Sequence, residues 1–288
     1  MSKVLSEIYS FLDDLDSKIP KVVYEFQPHS EFEKLKDPKS VQFIYWSEII
    51  QRYHITSSST ILRLKKWYEA MISAYKGESY YGFCCAIRGL VESCSDSFYS
   101  LSKITYPVAE NFKHIKEALE QKTDTIVFAE ELENELIHYI YGRKLSASER
   151  RNNPESHNAM QVRQYLDSMK SADLDQLYAE LCQISHPSML SNVPFMYSQG
   201  EDNLVIHNQN IDKQLIEDLL KRHRKTIYDA SMLAIVPALC SFKMINSLDL
   251  EFFSSLRLDE SIFDTLNESD IWKDLELKMA NKAFKSDS

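Results

Sequence analysis

Glycine is scarce in this sequence, with five residues in 288, whereas an average protein has about 7%. Glycine supplies the positive-φ positions of tight turns and the close backbone approach of phosphate-binding loops. Its scarcity therefore disfavours hairpin-rich folds and the glycine-rich cradles of the common nucleotide-binding α/β folds. The composition favours an all-α protein.

Cysteine pairs, catalytic signatures and a targeting segment are also lacking. The five cysteines form no C-x-x-C pair, so we expect reduced thiols in a cytoplasmic protein and no thiolate zinc site. The sequence contains no G-x-S-x-G, P-loop or H-E-x-x-H pattern, and we expect no cofactor and no metal.

Residues 1–15 lack the basic start of a secretory signal. The most apolar stretch, Ala230–Phe242, is too short to span a bilayer, which predicts a buried helix and no membrane association.

The chain is acidic, with a formal net charge of -10 at pH 7. An acidic protein has no general attraction to nucleic acid, so any such contact must come from a local basic patch.

Hydrophobic periodicity predicts helices along most of the chain. The strongest pattern covers residues 78–102, where apolar residues fall at spacings of three and four and place Tyr81 and Cys84 on the buried face. The other predicted helices cover residues 3–19, 41–53, 59–75, 107–120, 125–145, 155–169, 174–185 and a long stretch from 211 that Pro237 should kink. Between them we expect a polar turn at 54–60, a basic loop at 142–156 and an ordered loop at 187–209.

The predicted fold is an all-α antiparallel helical bundle over residues 76–247. An N-terminal helical layer at residues 1–75 and a C-terminal helical tail at residues 248–288 flank it.

Arg88 and Glu92 are the first candidate catalytic residues. They are four positions apart, so they lie on one side of the long predicted helix, and Arg88 neighbours its buried face. A guanidinium that a carboxylate holds at the edge of a core is positioned to bind phosphate or carboxylate. The alternative is an ordinary intrahelical ion pair.

Tyr178 and His186 form the second candidate set, with Cys182 and Ser185 between them near the end of a later predicted helix. Pro187 disfavours helical geometry at His186, which directs the imidazole away from the helix axis. The helix dipole favours the charged form of such a histidine, which can act as an acid or a base near neutral pH. The alternative is a capping histidine that bonds to a terminal carbonyl.

Residues 76–247 resemble a set of uncharacterised bacterial helical domains that carry an R…E helix and a later Y-x-x-L-S-x-x-x-H-P-S segment. The residues of this sequence that carry the resemblance are Arg88, Glu92, Tyr178, Leu181, Cys182, Ser185, His186, Pro187 and Ser188. Cys182 stands where those domains usually have serine, and the histidine comes one position earlier.

Those domains are distantly similar to the HEPN group of all-α domains, many of which are metal-independent ribonucleases of toxin and phage-defence systems. The resemblance implies RNA as the substrate, no required metal and a homodimer. In such an enzyme, His186 or His157 would act as acid or base, while Arg88 or Arg151 would stabilise the developing charge.

Arg151 and His157 are a second-ranked catalytic pair. The HEPN signature is an arginine, often followed by a polar residue, with a histidine a few positions later, and Arg151, Asn152 and His157 fit it. Pro154 places Arg151 in a loop before the predicted helix, so a solvated loop is the alternative.

Two basic segments are candidates for nucleic-acid binding. Their residues are Arg143, Lys144 and Arg150 in the predicted loop and Lys221, Arg222, Arg224 and Lys225 in the long C-terminal helix. Tyr139 and Tyr141 are available for stacking. Residues 221–225 wrap around a helix, so some of them must face the interior or a partner. The alternative is a solvated face that Glu217, Asp218 and Asp229 balance.

Glu135 and His138 have the spacing of half a di-iron carboxylate site. No second Glu-x-x-His accompanies them, so we interpret this segment as a solvated acidic face.

Two classes of function remain. The first is an RNA-cleaving or RNA-binding effector. The second is a non-catalytic helical module that binds a partner protein or regulates it, in which Arg88, Glu92 and His186 are structural. Convergence of Arg88 and His186 in an open cleft lined with basic groups favours the first class, and burial of both residues inside the bundle, with their hydrogen bonds satisfied, favours the second.

Overall fold

The computed structural model describes residues 3–199, 204–208 and 210–280, and its fold is all-α, as the composition predicts. The α-helices are α1 (Lys3–Lys18), α2 (His29–Phe32), α3 (Pro38–Lys76), α4 (Tyr80–Glu110), α5 (Phe112–Leu119), α6 (Glu130–Tyr141), α7 (Val162–Ser168), α8 (Ala172–Ser185), α9 (Met189–Asn192), α10 (Asp212–Leu248), α11 (Asp264–Asn267) and α12 (Asp270–Ala280). Short 3₁₀ turns lie at Glu149–Arg151, Glu155–His157, Val193–Phe195, Glu251–Leu256 and Glu260–Phe263.

A two-stranded antiparallel hairpin occupies part of the segment that we expected to be an ordered loop. Its strands are β1 (Met196–Gln199) and β2 (Leu204–His207), and Met196 pairs with His207. The helix α9 and the turn Val193–Phe195 precede it. The described residues of this segment, 187–199 and 204–208, are therefore more regular than its proline content suggests.

The helical chain forms two compact units, each built from three stretches of sequence. The first unit comprises residues 1–16, 60–96 and 162–234, and the second comprises residues 17–59, 97–161 and 235–288. The contiguous regions 1–75, 76–247 and 248–288 divide the chain differently and stay a prediction.

In the first unit, the end of α3 packs antiparallel to the start of α4. Arg63 pairs with Asp96 at 2.6 Å, and the indole Nε1 of Trp67 donates to Ser93 Oγ at 2.8 Å. Gly89 permits this contact, because a Cβ there would lie 2.4 Å from the Trp67 ring. A larger residue at position 89 would force the two helices apart.

In the second unit, α3 runs without a break through residues 54–59, and it continues in the first unit from residue 60. The prediction of a polar turn at residues 54–60 is therefore wrong. Thr56 and Ser57 donate their hydroxyls to the carbonyls of Arg52 and Tyr53, at 2.9 and 3.0 Å. Such bonds to the carbonyl four residues earlier satisfy a buried hydroxyl inside a helix, so a polar run need not end one.

Three predicted helix boundaries are also wrong. Pro107 lies inside the last turn of α4 rather than starting a helix, and α6 begins at Glu130 rather than near 125. Residues 127 and 129 donate their backbone N–H groups to Gln42 and Tyr45, which holds this segment outside the helix. The helix expected over 155–169 is a 3₁₀ turn followed by α7.

Among the described residues, α10 alone is long and apolar enough to cross a membrane by length and composition. Its most apolar window is 67% buried, as in the core helix of a soluble protein. This agrees with the buried helix that the sequence predicts around Ala230–Phe242.

His54 is fully buried in the second unit, where its Nδ1 contacts Tyr24 Oη at 2.7 Å and Ser58 Oγ at 3.3 Å. Burial lowers the pKa of His54 to about 4, because a buried imidazolium loses its hydration. The imidazole is therefore neutral in the folded protein across the physiological range.

We predict that His54 makes the fold less stable as the pH falls from about 6.5 to about 4. In this window the unfolded chain binds a proton at His54 and the folded chain does not, so the free energy of unfolding should drop by about 3 kcal/mol. Urea unfolding across this pH range measures the slope, and His54→Gln should reduce it. His29→Gln, the same substitution at an exposed position, is the control against which the effect of His54→Gln on the slope is compared. Equal slopes in wild type and His54→Gln would refute the assignment.

Candidate functional site

The site lies in the first unit and starts from one face of α4. Tyr81, Cys85, Arg88 and Glu92 follow one another at helical spacings of three or four, so they form one row. The side chain of Arg88 is 27% exposed and that of Glu92 is 33% exposed. Arg88 therefore lies at the edge of the core, as the sequence predicts.

The opposing side of the site comes from α8 and the residue that ends it. Ser171 caps the N-terminus of α8 by accepting a hydrogen bond from the Leu174 N–H at 3.3 Å. His186 ends the helix in an extended conformation, with φ -112° and ψ 158°. Pro187 favours this geometry at the preceding residue. The prediction that His186 leaves the helical path is confirmed, and its side chain is exposed.

The two sides meet in four successive contacts that run antiparallel. Tyr81 Oη donates to the Ser191 carbonyl, and Cys85 Sγ lies 3.9 Å from Ser185 Oγ. Arg88 Nη1 lies 3.2 Å from His186 Nε2. Tyr178 Oη donates to Glu92 Oε1 at 2.8 Å. The contacts run from Tyr81 opposite Ser191 to Glu92 opposite Tyr178, and the adjacent Ser185 and His186 lie between these two ends. We call this continuous row of contacts the α4–α8 seam.

The expected convergence of Arg88 and His186 is confirmed. They are 98 positions apart in sequence, and the fold brings their side chains within hydrogen-bond distance at an exposed position. A guanidinium only donates hydrogen bonds, so Nε2 of His186 must accept. A neutral imidazole that accepts at Nε2 carries its ring proton on Nδ1.

Glu92 binds both Arg88 and Tyr178. Its Oε1 accepts from Arg88 Nε at 3.0 Å and from Tyr178 Oη at 2.8 Å. The Arg88 guanidinium also lies over the Tyr178 ring, 5.7 Å from its centroid. Arg88 is therefore oriented by a carboxylate on one side and an aromatic face on another.

Electrostatics keep both partners of Glu92 protonated. Burial alone would lower the pKa of Arg88, but the hydrogen bond to Glu92 and the nearby Cys182 and Tyr178 raise it overall. Burial, together with the Glu92 carboxylate, raises the pKa of Tyr178. The Tyr178 hydroxyl therefore stays a donor at neutral pH.

The second-ranked pair lies in the second unit, and its members are not joined. Arg151 is exposed in the turn Glu149–Arg151, while His157 packs near the Tyr141 ring, at 6.3 Å between centroids. Among the described residues, Arg151 and His157 share no hydrogen bond. His157 ends a 3₁₀ turn instead of lying in the α-helix expected from residue 155.

The proposed basic residues are divided between the units. Arg143 pairs with Glu149 at 2.7 Å in the second unit, where Lys144 and Arg150 are exposed. In the first unit, Arg222 pairs with Glu180, and Lys225 pairs with Asp229 at 2.5 Å.

The basic run on α10 partly faces the interior, as the sequence predicts. His223 is buried, and its Nε2 lies 2.9 Å from Glu180 Oε2. Lys221 and Arg224 are exposed, and neither makes an ion pair within the part of the chain that the structure describes. These two remain the available cations of this segment.

Glu135 and His138 do not form a metal site. Glu135 pairs with Lys103 at 2.5 Å, and His138 Nδ1 contacts the Ser156 carbonyl at 3.1 Å. No group of three or more metal-ligating side chains occurs among the described residues.

Sequence reasoning missed two members of the α4–α8 seam. Tyr81 was predicted on the buried face, but its side chain is 41% exposed, and its neighbour Tyr80 is buried instead. Cys85 is exposed next to the buried Cys84. The spacing of Tyr81, Cys85, Arg88 and Glu92 would have revealed the row, because those positions repeat at helical intervals.

No family model matches this sequence, and comparisons with curated proteins and with solved structures also give no match.

We predict that neutral His186 carries its proton on Nδ1. Nitrogen-15 NMR of histidine-labelled protein, at a pH well above the ordinary imidazole pKa of about 6.5, distinguishes the two neutral tautomers. Arg88→Ala removes the donor and should increase the share of the form protonated at Nε2. A wild-type spectrum dominated by that form would contradict the Arg88–His186 contact.

Proposed function

We propose that the α4–α8 seam is the working site of a HEPN-like, metal-independent ribonuclease or RNA-binding effector of the toxin or phage-defence kind, acting in the cytoplasm. The observation that carries this proposal is the placement of the Arg88 guanidinium against the His186 imidazole at an exposed position. A guanidinium and an imidazole side by side can supply charge stabilisation and a general base, two roles that assist cleavage of an RNA phosphodiester.

The chemistry involves the RNA, these side chains and water. His186 Nε2 takes the proton from a 2′-hydroxyl, whose oxygen forms a bond to the adjacent phosphorus. The bond from phosphorus to the 5′-oxygen breaks, and that oxygen takes a proton from water. The products are a 2′,3′-cyclic phosphate and a free 5′-hydroxyl, and the proton on His186 returns to solvent.

Arg88 has two tasks in this scheme. Its Nη1, which donates to His186 in the free protein, turns to the phosphate oxygens when RNA binds. This exchange frees Nε2 to act as the base. The guanidinium then stabilises the extra negative charge of the pentacoordinate phosphorus, and such preorganised donors contribute about 100-fold to 1000-fold in rate.

Glu92 and Tyr178 are positioning residues in this scheme. Glu92 binds the Nε edge of Arg88 at 3.0 Å and leaves the Nη atoms to face His186. Tyr178 donates to the same carboxylate oxygen and supports the guanidinium with its ring. The arrangement fixes a flexible side chain before substrate arrives, which lowers the entropy lost on binding.

Affinity for RNA has to come from local cations, since the whole chain carries a charge of -10. Arg88 supplies one of them, and the exposed Lys221 and Arg224 belong to the same unit. Few phosphate contacts imply a shallow dependence of affinity on salt. The HEPN likeness further implies a homodimer, which would double the number of cations available to one RNA.

The alternative is a non-catalytic helical module that binds a partner protein. One observation favours it: Glu92 satisfies Arg88 and Tyr178 together, and this network links α4 to α8. Such a network has a structural role even without a substrate.

We predict that the purified protein cleaves single-stranded RNA in the presence of a chelator and leaves cyclic phosphate ends. His186→Ala should lower the rate at least about 100-fold, because it removes the base, and Arg88→Ala should do so to a similar extent. The matched control is His29→Ala, which removes an exposed histidine of the other unit and should leave the rate unchanged.

Two results would count against this scheme. Undiminished cleavage by the His186→Ala variant would remove His186 from the mechanism. A folded wild type that neither binds nor cleaves RNA would favour the non-catalytic module.

A further inference from the structure

Tyr81 presents an anchored aromatic ring at one end of the α4–α8 seam. Its side chain is 41% exposed, while its hydroxyl donates to the Ser191 carbonyl. The Phe195 ring lies beside it at 5.7 Å between centroids, tilted by 35°. The Tyr80 ring lies behind both, at 6.0 Å from Tyr81 and 6.3 Å from Phe195. Two aromatic rings thus pack near the Tyr81 ring, and the Ser191 carbonyl binds its hydroxyl.

This anchoring distinguishes Tyr81 from an ordinary exposed aromatic residue. A hydroxyl bond and a neighbouring ring fix the orientation of the side chain before any ligand arrives, so little rotamer entropy remains to be lost on binding. Three further exposed apolar side chains follow Ser188 along the same segment, namely Met189, Val193 and Met196. The apolar surface therefore extends beyond the ring itself.

Tyr81 and Arg88 are seven residues apart on one helix, about 10 Å along its axis. They lie in the same row, with Cys85 and its contact to Ser185 between them. One short, extended strand can therefore place a phosphate at Arg88 and a base at Tyr81.

From this geometry we infer that Tyr81 is a nucleobase-stacking position that selects single-stranded RNA, an inference that rests on the function proposed above. Every base has an aromatic face, so stacking on a tyrosine is tolerant of sequence. In a duplex the bases already stack on one another, and a protein side chain reaches their faces only in unpaired segments. The site would accordingly bind loops and free ends in preference to paired RNA.

The test measures binding to two oligonucleotides of equal length and charge. One is a 2′-O-methyl oligouridylate, which has no free 2′-hydroxyl and cannot be cleaved, and the other has the same backbone without bases. Tyr81→Leu keeps an apolar side chain but removes the ring, and Tyr81→Phe keeps the ring but removes the hydroxyl. The wild type, both variants and Arg88→Ala are each titrated with both oligonucleotides.

Tyr81→Leu should weaken binding of the base-bearing oligonucleotide by about fivefold to 100-fold, the range for loss of one stacked base. It should leave binding of the abasic backbone unchanged. Tyr81→Phe should lose less affinity than Tyr81→Leu, because it keeps the stacking ring and loses only the hydroxyl bond that orients it. Arg88→Ala should weaken both oligonucleotides, because it removes a phosphate contact.

The outcomes separate this inference from the proposed function. If the wild type binds and Tyr81→Leu binds both oligonucleotides as well as wild type, the stacking role is wrong and the function stands. Equal losses for Tyr81→Leu and Tyr81→Phe would also overturn the stacking role, since they would trace to the hydroxyl bond with Ser191. If the wild type binds neither oligonucleotide, both proposals fail.

Discussion

The Glu92 carboxylate is the interaction on which the rest of the site depends. One oxygen accepts from Arg88 on its own helix and from Tyr178 on the facing helix. This shared acceptor fixes the register of α4 against α8. The register in turn sets Arg88 opposite His186 and Tyr81 opposite Ser191. If α8 moved by one helical turn along α4, every one of these pairs would separate, because each side chain reaches its partner only in the observed register.

Much of the helical content and the main residues of the site could be predicted from sequence, for local reasons. Scarce glycine and helical periodicity both indicated an all-α chain. The helix α8 begins and ends close to its predicted positions, and α10 begins close to its predicted start. Pro187 indicated that His186 leaves the helix, since a residue before proline disfavours helical geometry. The i,i+4 spacing of Arg88 and Glu92 indicated their ion pair. Each of these inferences uses residues within a few positions of one another.

The remaining features depend on partners distant in sequence. Residues 54–59 continue α3 because their hydroxyls bond within the helix, which composition alone did not indicate. The start of α6 is set by bonds from residues 127 and 129 to α3. Tyr81 is held in place by Ser191 and Phe195, both more than a hundred residues later in the sequence. The contact of Arg88 with His186 was a hypothesis from motif resemblance, and only tertiary structure could place the two groups together.

The central claim is that Arg88 and His186 act as one unit on a phosphodiester. A double-mutant cycle with Arg88→Gln, His186→Ala and the double variant tests it directly, with the rate of RNA cleavage as the readout. Groups that act together are strongly non-additive when removed, so the double variant should be no slower than the slower single variant. If the two losses multiply in the double variant, the residues act independently and the account is contradicted.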